Sequence, residues 1–269
     1  MDVIFITPPR ICSRNTFQNL GKFRFSGVHF FLCFTELNIT SIFCKKEFIM
    51  TEKLIKGLET LQLNLSERQV EQLGLYIEEV LEFNKGYNLM KAENADELAV
   101  NHILDSLAAV PHLEKLINGI CSEKNCAALQ IADIGSGGGC PGIPLAVVFP
   151  EHNFTLVERM EKRCGFLSGA VTKLGLSNVK IECKAADMVQ PEIFDIEVFR
   201  AFHPFDKKII KLLFNMLKKG GYLAAYKARE EKIIAEMEEI KFIVKDYQKI
   251  KMVVPFLEDH ERNLVVIKK

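Results

Sequence analysis

Four glycines follow an apolar run in the middle of the chain: Gly135, Gly137, Gly138 and Gly139. The run before them, residues 130–134, predicts a buried strand, and Pro141 suits the first turn of a helix after them. Glycines let a backbone turn tightly and approach a ligand without Cβ clashes. This order predicts a loop that binds a nucleotide-type cofactor at the carboxyl end of the strand.

Glu158 is the second residue whose chemistry suits such a ligand. It follows an apolar run at residues 154–157 and lies 19 positions after Gly139, as expected for one βαβ unit. A carboxylate at this place can accept hydrogen bonds from both hydroxyls of a cofactor ribose. The alternative is a Glu stabilised by the dipole at a helix N-terminus. The spacing of Glu158 from the glycine loop favours the role in binding the ribose.

The frame of the glycines separates two kinds of cofactor. A dinucleotide fingerprint fits only from Gly137, and that frame places Pro141, which has no amide hydrogen, where backbone amides should meet a pyrophosphate. The pattern Asp133-x-Gly135-x-Gly137-x-Gly139 instead resembles the first motif of class I S-adenosylmethionine (SAM) methyltransferases. In that class the loop faces the methionine end of the cofactor. We therefore predict SAM in preference to NAD.

The elements that must position these residues alternate along most of the chain. Helical patterns dominate from residue 50 to about 118, and Ser66 with Gln69 resembles an N-terminal capping pair. Strands are then predicted at 129–134, 153–157, 178–183, 194–199, 220–226, 241–250 and 262–268. Helices are predicted at 142–149, 159–174, 205–218 and 229–239. This order predicts an α/β fold with a Rossmann-like, doubly wound sheet that ends in an antiparallel hairpin.

Composition limits the possible partners. The chain has 269 residues, of which 48% are hydrophobic, and this is enough for a sizeable core. Its 35 basic and 35 acidic residues cancel, so a nucleic-acid partner must be held by a local basic patch. No run of 18 apolar residues occurs, and we expect no transmembrane helix and no membrane partner.

The eight cysteines indicate free thiols. They include no CxxC pair and have no His at zinc-ligand spacing. We predict no metal site and no disulfide, with reduced thiols in a cytoplasmic protein.

Residues 1–49 differ in composition from the rest. They hold nine of the 20 Phe and sustain neither a helical nor a strand period. We predict that they are a disordered or non-native upstream extension and that Met50 is the biological start. An N-terminal helical segment would then cover 50–120, and a cofactor-binding domain 121–269. A peptide from residues 1–45, found by mass spectrometry of the natively expressed protein, would contradict this start.

Five segments carry a more specific resemblance: NLM at 88–90, NHILDSL at 101–107, PGIPL at 141–145, FRAF at 199–202 and ERNLVVIK at 261–268. Together they resemble the bacterial ribosomal small-subunit methyltransferase G family, also called GidB, over essentially all of 66–269. The HxLDSL block upstream of the glycine loop is much more specific than the loop alone.

The resemblance implies a SAM-dependent rRNA methyltransferase that modifies N7 of guanine 527 in 16S rRNA. Its partner would be 16S rRNA or the small ribosomal subunit, and we expect a monomer. Guanine N7 presents a lone pair in the plane of the base, so attack on the methyl group needs no general base. Accordingly we find no motif of the exocyclic-amine or cytosine C5 methyltransferases. We predict catalysis by positioning, without a dedicated acid or base.

Family roles also transfer to individual cofactor-binding positions. Gly135 and Cys140 would line the methionine and ribose side, and Ala186 with Asp187 would bracket the adenine. Asp187 can alternatively be an ordinary turn or cap residue. Arg200, at the end of the fourth strand, would bind the cofactor carboxylate or the target nucleotide.

For the RNA side, aromatic and basic residues follow Arg200. Phe202 and His203 could stack on an extruded base, although such aromatics are more often core residues. Lys207 and Lys227 belong to a basic stretch that suits phosphate contacts or a solvated helix face. His102 shares a helix face with Asp105, either as a structural pair or in a pocket.

Two other functions are compatible with the residues. One is a SAM methyltransferase that acts on a protein or a small molecule, which would need the glycine loop and Glu158 but not the block at 88–107. The other is a noncatalytic RNA-binding protein that retains the SAM fold. Failure of the purified protein to bind SAM would favour the second.

Overall fold

The computed structural model describes residues 51–269. The predictions for 1–49 and for Met50 as the start lie outside the described residues. Nine α-helices are described: α1 Glu52–Thr60, α2 Glu67–Asn84, α3 Ala95–Leu98, α4 Asp105–Leu107, α5 Val110–Lys124, α6 Gly142–Val148, α7 Glu161–Leu174, α8 Lys207–Met216 and α9 Glu230–Ile240. A π-helical segment, Ala99–Leu104, joins α3 to α4, and a 3-10 turn covers Ala186–Met188.

Seven strands form one sheet: β1 Gln130–Ile134, β2 Asn153–Glu158, β3 Val179–Cys183, β4 Phe194–Arg200, β5 Leu217–Lys227, β6 Gln248–Met252 and β7 Arg262–Lys268. Their order is β3-β2-β1-β4-β5-β7-β6. The first five strands pair in parallel, and β7 lies antiparallel to both β5 and β6. The predicted doubly wound sheet and terminal hairpin are therefore confirmed.

Local sequence accounts for several element boundaries. The predicted cap of α2 is confirmed, because the Ser66 hydroxyl accepts from the Gln69 amide and the Gln69 side chain accepts from the Ser66 amide. The predicted strand at 241–250 is wrong in its first part, since β6 begins at Gln248. The amides of Ile243 and Val244 both donate to the Ile240 carbonyl in a turn, so they cannot pair in the sheet.

Two apolar layers cover the sheet. One face packs against α8 and α9 through residues such as Ile210, Leu213 and Ile233. The other face packs against α6 and α7, and the N-terminal helices extend this same core from Leu54 onward. Within the described residues, the helical segment and the sheet therefore share a continuous core. None of the helices within residues 51–269 combines the length and the apolar composition of a membrane span.

The prediction that no disulfide forms is wrong for one pair. Cys164 in α7 is bonded to Cys183 at the end of β3. The two residues are 19 positions apart in elements that only the fold brings together, and such a spacing carries no sequence signal. Cys121, Cys126 and Cys140 are free thiols, as predicted.

Glu197 is a buried acid in the middle of β4. Its side chain is fully inaccessible, and neither carboxylate oxygen has a hydrogen-bond partner within the described part of the chain. Burial raises the pKa of Glu197 well above its usual value. The folded protein therefore keeps this proton to higher pH than the unfolded chain does.

We predict that Glu197→Met stabilises the protein, and more so at pH 8 than at pH 5. A raised folded-state pKa gives stability that is complete below the unfolded pKa, about 4.3, and is lost as pH rises toward the folded pKa. Methionine removes this loss and the desolvation cost, so the free energy of unfolding at pH 8 should rise by about 1 to 3 kcal/mol. Urea denaturation across pH 5 to 8 measures it. The exposed Glu239→Met is the control, and a stability gain independent of pH would contradict the prediction.

Candidate functional site

The glycine turn after β1 needs residues without side chains at defined places. Gly135 has φ +71°, and a Cβ there would lie 2.4 Å from the Phe202 ring. Gly139 has φ +98°, and a Cβ there would lie 2.6 Å from Ile143. The turn therefore combines left-handed backbone with close side-chain approach, and any larger residue would displace it.

Asp133 stabilises the glycine turn by two hydrogen bonds from its buried side chain. Its Oδ2 accepts from the Ser136 hydroxyl at 2.8 Å and from the Gly142 amide at 2.9 Å. Burial raises the pKa of Asp133 to about 6, although both hydrogen bonds oppose this shift. Asp133 is 1% exposed and its carboxylate points into the loop, so the structure gives it a supporting position under the turn.

Glu158 links the end of β2 to the same turn. Its Oε2 accepts from the Gly137 amide at 2.9 Å, and its Oε1 accepts from the Met160 amide at 2.9 Å. Arg163 lies 3.8 Å from the same carboxylate. Glu158 is buried, yet it borders an open cavity, so its carboxylate is oriented before any ligand binds.

The first cavity, of about 390 Å³, opens at the carboxyl ends of β1, β2 and β4. The predicted cofactor residues that line it are Gly135, Glu158, Ala186 and Asp187. The cavity is also lined by Arg159, Arg163 and Lys184, for which no role was predicted. The run of charged residues directly after Glu158 was the available signal for the two arginines. Asp133, Gly137, Gly139, Cys140 and Arg200 do not border this cavity.

Cys140 lies behind the loop. Its buried sulfur is 3.3 Å from the Tyr76 hydroxyl, which donates to the Gly138 carbonyl at 2.6 Å. Tyr76 belongs to α2, so a helix of the N-terminal segment supports the turn from outside the sheet. The sequence did not predict this role, because Tyr76 occupies a position on the apolar face of α2 that is typical of a core residue.

A second cavity, of about 550 Å³, adjoins the first. Both are lined by Ala201, Phe202 and His203, so this short segment forms the wall between them. Phe202 covers Gly135 and also contacts the rings of Phe199 and His203, with centroids 6.1 and 4.8 Å away. The wall is therefore largely aromatic.

An arginine pair held by one carboxylate lies in the second cavity. Asp105, nearly fully buried, accepts from Arg200 Nη1 and from Arg262 Nε, each at 2.7 Å. Arg200 Nη1 also donates to the Asn101 carbonyl, and Arg200 Nη2 donates to His102 Nδ1 at 2.9 Å. Burial and the charge of Arg200 lower the pKa of His102, which leaves the ring neutral and able to accept this bond. His102 and Asp105 thus share a pocket, as their common helix face allowed.

The remaining predicted RNA residues are basic. Lys227 lines the second cavity, where its ammonium pairs with Glu236 at 2.5 Å and lies 4.1 Å from the centre of the Phe205 ring. Lys207 is exposed at the first position of α8, next to Lys208, which lines the first cavity. No group of His, Cys, Asp and Glu within residues 51–269 could hold a metal ion.

The sheet order, with its antiparallel β7 between β5 and β6, and a glycine turn joined to an acidic residue at the end of β2 define a class I SAM-dependent methyltransferase. The family model described as rRNA small subunit methyltransferase G matches residues 69–265. The chain belongs to this family.

Two relatives match this chain over nearly their whole length and over about four-fifths of its own. Ribosomal RNA small subunit methyltransferase G of Treponema denticola is 37% identical over 83% of this chain and 96% of its own length. The enzyme of the same name from Alteromonas mediterranea is 36% identical over 80% of this chain and 95% of its own. Among solved structures, the tRNA (m1A58) methyltransferase TrmI from Aquifex aeolicus is 18% identical, with a TM-score of 0.43 over 52% of this chain and 62% of that chain.

We predict that Asp105→Asn destabilises the protein by about 2 to 3 kcal/mol, because the half-buried Arg200 loses the charge of its buried partner. Urea denaturation measures the loss. Asp96→Asn is the control, since Asp96 forms an exposed pair with Lys53 and should change stability by less than about 0.5 kcal/mol. Equal losses in the two variants would contradict the role of Asp105.

Proposed function

We propose that this protein transfers the methyl group of SAM to N7 of one guanine, guanine 527, in 16S rRNA of the small ribosomal subunit. The observation that carries the proposal is family membership combined with two adjoining cavities that share an aromatic wall. A methyl transfer needs two ligands side by side, with the reacting atoms in line. We also propose that the protein acts in the cytoplasm as a monomer.

The first cavity suits the cofactor. Glu158 is oriented by two backbone amides and has the acceptor oxygens that ribose hydroxyls need. Ala186 and Asp187 also line the cavity, together with the apolar Ile209 and Leu212, and such a surface can hold a flat adenine ring. Gly135 lines the first cavity next to the wall, where the Phe202 ring packs against its backbone.

Most residues of the glycine turn would shape the cofactor site without lining the cavity. Gly137 is held by Glu158, and Gly139 bends the backbone over Ile143, so both would shape the binding loop without facing the cavity. Cys140 would contribute its backbone only, because its sulfur packs against Tyr76. Asp133 would keep its place beneath the turn in the bound state.

The second cavity suits the target base. Phe202 and His203 offer ring faces and edges that can contact an unstacked base, and Arg200 and Arg262 supply donors for base or phosphate oxygens. His102 and Lys227 complete the polar lining, and Lys207 lies outside on α8 where an RNA backbone can pass. Zero net charge makes these local cations necessary for RNA binding.

The chemistry places few demands on the side chains. SAM supplies an activated methyl group, and guanine N7 supplies the lone pair that attacks it. The residues of the two cavities would bind, orient and exclude water, since no proton has to be removed from N7. Arg200 would act by positioning, because three of its five N–H donors are fixed by Asp105, His102 and the Asn101 carbonyl, which leaves the other two to orient a base or phosphate oxygen.

Methylation of defined substrates tests the proposal. Small subunits lacking the modification, protein-free 16S rRNA, and a panel of proteins and metabolites are each incubated with methyl-labelled SAM. Borohydride reduction and aniline cleavage, which cut RNA at N7-methylguanosine, locate the product. We expect one cleavage at guanine 527 in subunits, in free rRNA or in both. Label in a protein or metabolite alone would favour another methyltransferase, and absence of SAM binding would favour a noncatalytic RNA-binding protein.

The two cavities predict separable defects. Glu158→Ala should raise the Kd for SAM at least about tenfold, which corresponds to roughly 1.4 kcal/mol for lost charged hydrogen bonds, while the protein stays folded. Lys227→Met should raise the KM for the RNA substrate and leave the Kd for SAM unchanged. Calorimetry and steady-state kinetics measure these values. The exposed neighbour Glu161→Ala is the control for Glu158, and an unaltered SAM affinity in Glu158→Ala would refute the cofactor site.

A further inference from the structure

The Cys164–Cys183 pair joins two walls of the first cavity. Cys164 lies in the first turns of α7, directly after Arg163, which lines the cavity. Cys183 ends β3, and the next residues, Lys184 to Asp187, also line the cavity. The bond between them therefore ties the loop after β2 to the loop after β3.

Glu158 lies at the centre of this arrangement. It is the register partner of Cys183 in the β2–β3 pairing, and its carbonyl oxygen is 3.2 Å from the sulfur of Cys164. The same residue orients its carboxylate toward the cavity through the Gly137 and Met160 amides. A displacement of either cysteine is thus transmitted to the backbone of Glu158.

The two cysteines differ in access to solvent. Cys164 is 6% exposed, whereas Cys183 is an exposed residue at the end of an edge strand of the sheet. Thiol–disulfide exchange requires that an incoming sulfur can reach one partner of the pair. The exposed Cys183 provides this access, and the other partner remains shielded from competing oxidation.

We propose that Cys164 and Cys183 form a thiol–disulfide modification site that reacts with low-molecular-weight disulfides and sets the affinity of the first cavity for its cofactor. A thiolate of the pair attacks the small disulfide, forms a mixed disulfide and releases one small thiol. The second cysteine then displaces the other small thiol and closes the Cys164–Cys183 bond. Two protein thiols are oxidised, their two protons are released or taken up by the leaving thiolates, and one small disulfide is reduced to two thiols.

Reduction must separate the two sulfurs. Bonded sulfurs lie about 2.05 Å apart, whereas two unbonded sulfurs need roughly 3.5 to 4 Å. The end of β3 or the first turn of α7 therefore shifts, or a cysteine side chain rotates away. The disulfide form holds both walls in place before the ligand arrives, and pre-organisation favours tighter binding. The oxidised protein should bind the cofactor more tightly than the reduced protein.

The test uses the full chain and S-adenosylhomocysteine as the probe. Samples equilibrated with dithiothreitol or with glutathione disulfide are titrated by calorimetry, and alkylation with peptide mapping identifies the cysteines that changed state. We expect Cys164 and Cys183 to be oxidised together and the Kd to be about fivefold lower in the oxidised sample. Cys183→Ser and Cys164→Ser/Cys183→Ser should bind like the reduced wild type in both conditions. Cys126→Ser, which leaves the pair intact, should respond as the wild type does.

Since the affinity readout rests on the proposed cofactor site, a second readout keeps the two proposals distinguishable. Without any ligand, oxidation should slow hydrogen exchange of the backbone amides in residues 158–163 and 184–188. Variants that lack the cysteine pair should show no such slowing. If S-adenosylhomocysteine binds neither the oxidised nor the reduced protein, the proposed function fails. The hydrogen-exchange measurement then tests the modification site by itself. Cysteines that stay reduced with glutathione disulfide, or oxidation without a change in exchange or Kd, would overturn the modification site.

Discussion

Two buried carboxylates hold the turn on which the first cavity depends. Asp133 binds the loop from beneath through Ser136 and the Gly142 amide, and Glu158 binds the Gly137 amide from the neighbouring strand. A buried backbone amide needs an acceptor, and these carboxylates supply one for Gly137 and one for Gly142. The two acids do this without filling the space above the turn. These hydrogen bonds therefore fix the backbone around Gly135 and the side chain of Glu158, both of which line the cavity.

The N-terminal helices serve the site as much as the core does. Asp105 follows the π-helical segment and holds Arg200 from β4 and Arg262 from β7, which fixes the second cavity across three elements. On the other side of the turn, Tyr76 of α2 satisfies the Gly138 carbonyl. Both contacts are polar and involve a buried side chain, Asp105 or Tyr76, so they specify how the helical layer docks on the sheet in addition to the apolar packing. A methyltransferase domain without this layer would lack one wall of the second cavity.

Much of the fold was predictable because its signals are local. Alternating strand and helix patterns, the Ser66 cap and the hairpin at the chain end were all confirmed. The strand predicted from residue 241 failed because Ile243 and Val244 have a strand-like pattern but bond back to Ile240. The disulfide of Cys164 was also missed, since it depends on where α7 lies against β3.

By itself the sequence determined the glycine turn, its acidic partner one βαβ unit later and the family to which the chain belongs, because these reside in residue types at fixed spacing. Only the tertiary structure decided which side chains face a cavity. It placed Asp133 and Cys140 behind the loop, gathered Arg200 and His102 around Asp105, and set Phe202 between two cavities. Such outcomes depend on packing between distant elements, and no local pattern records the direction in which a side chain points once those elements meet.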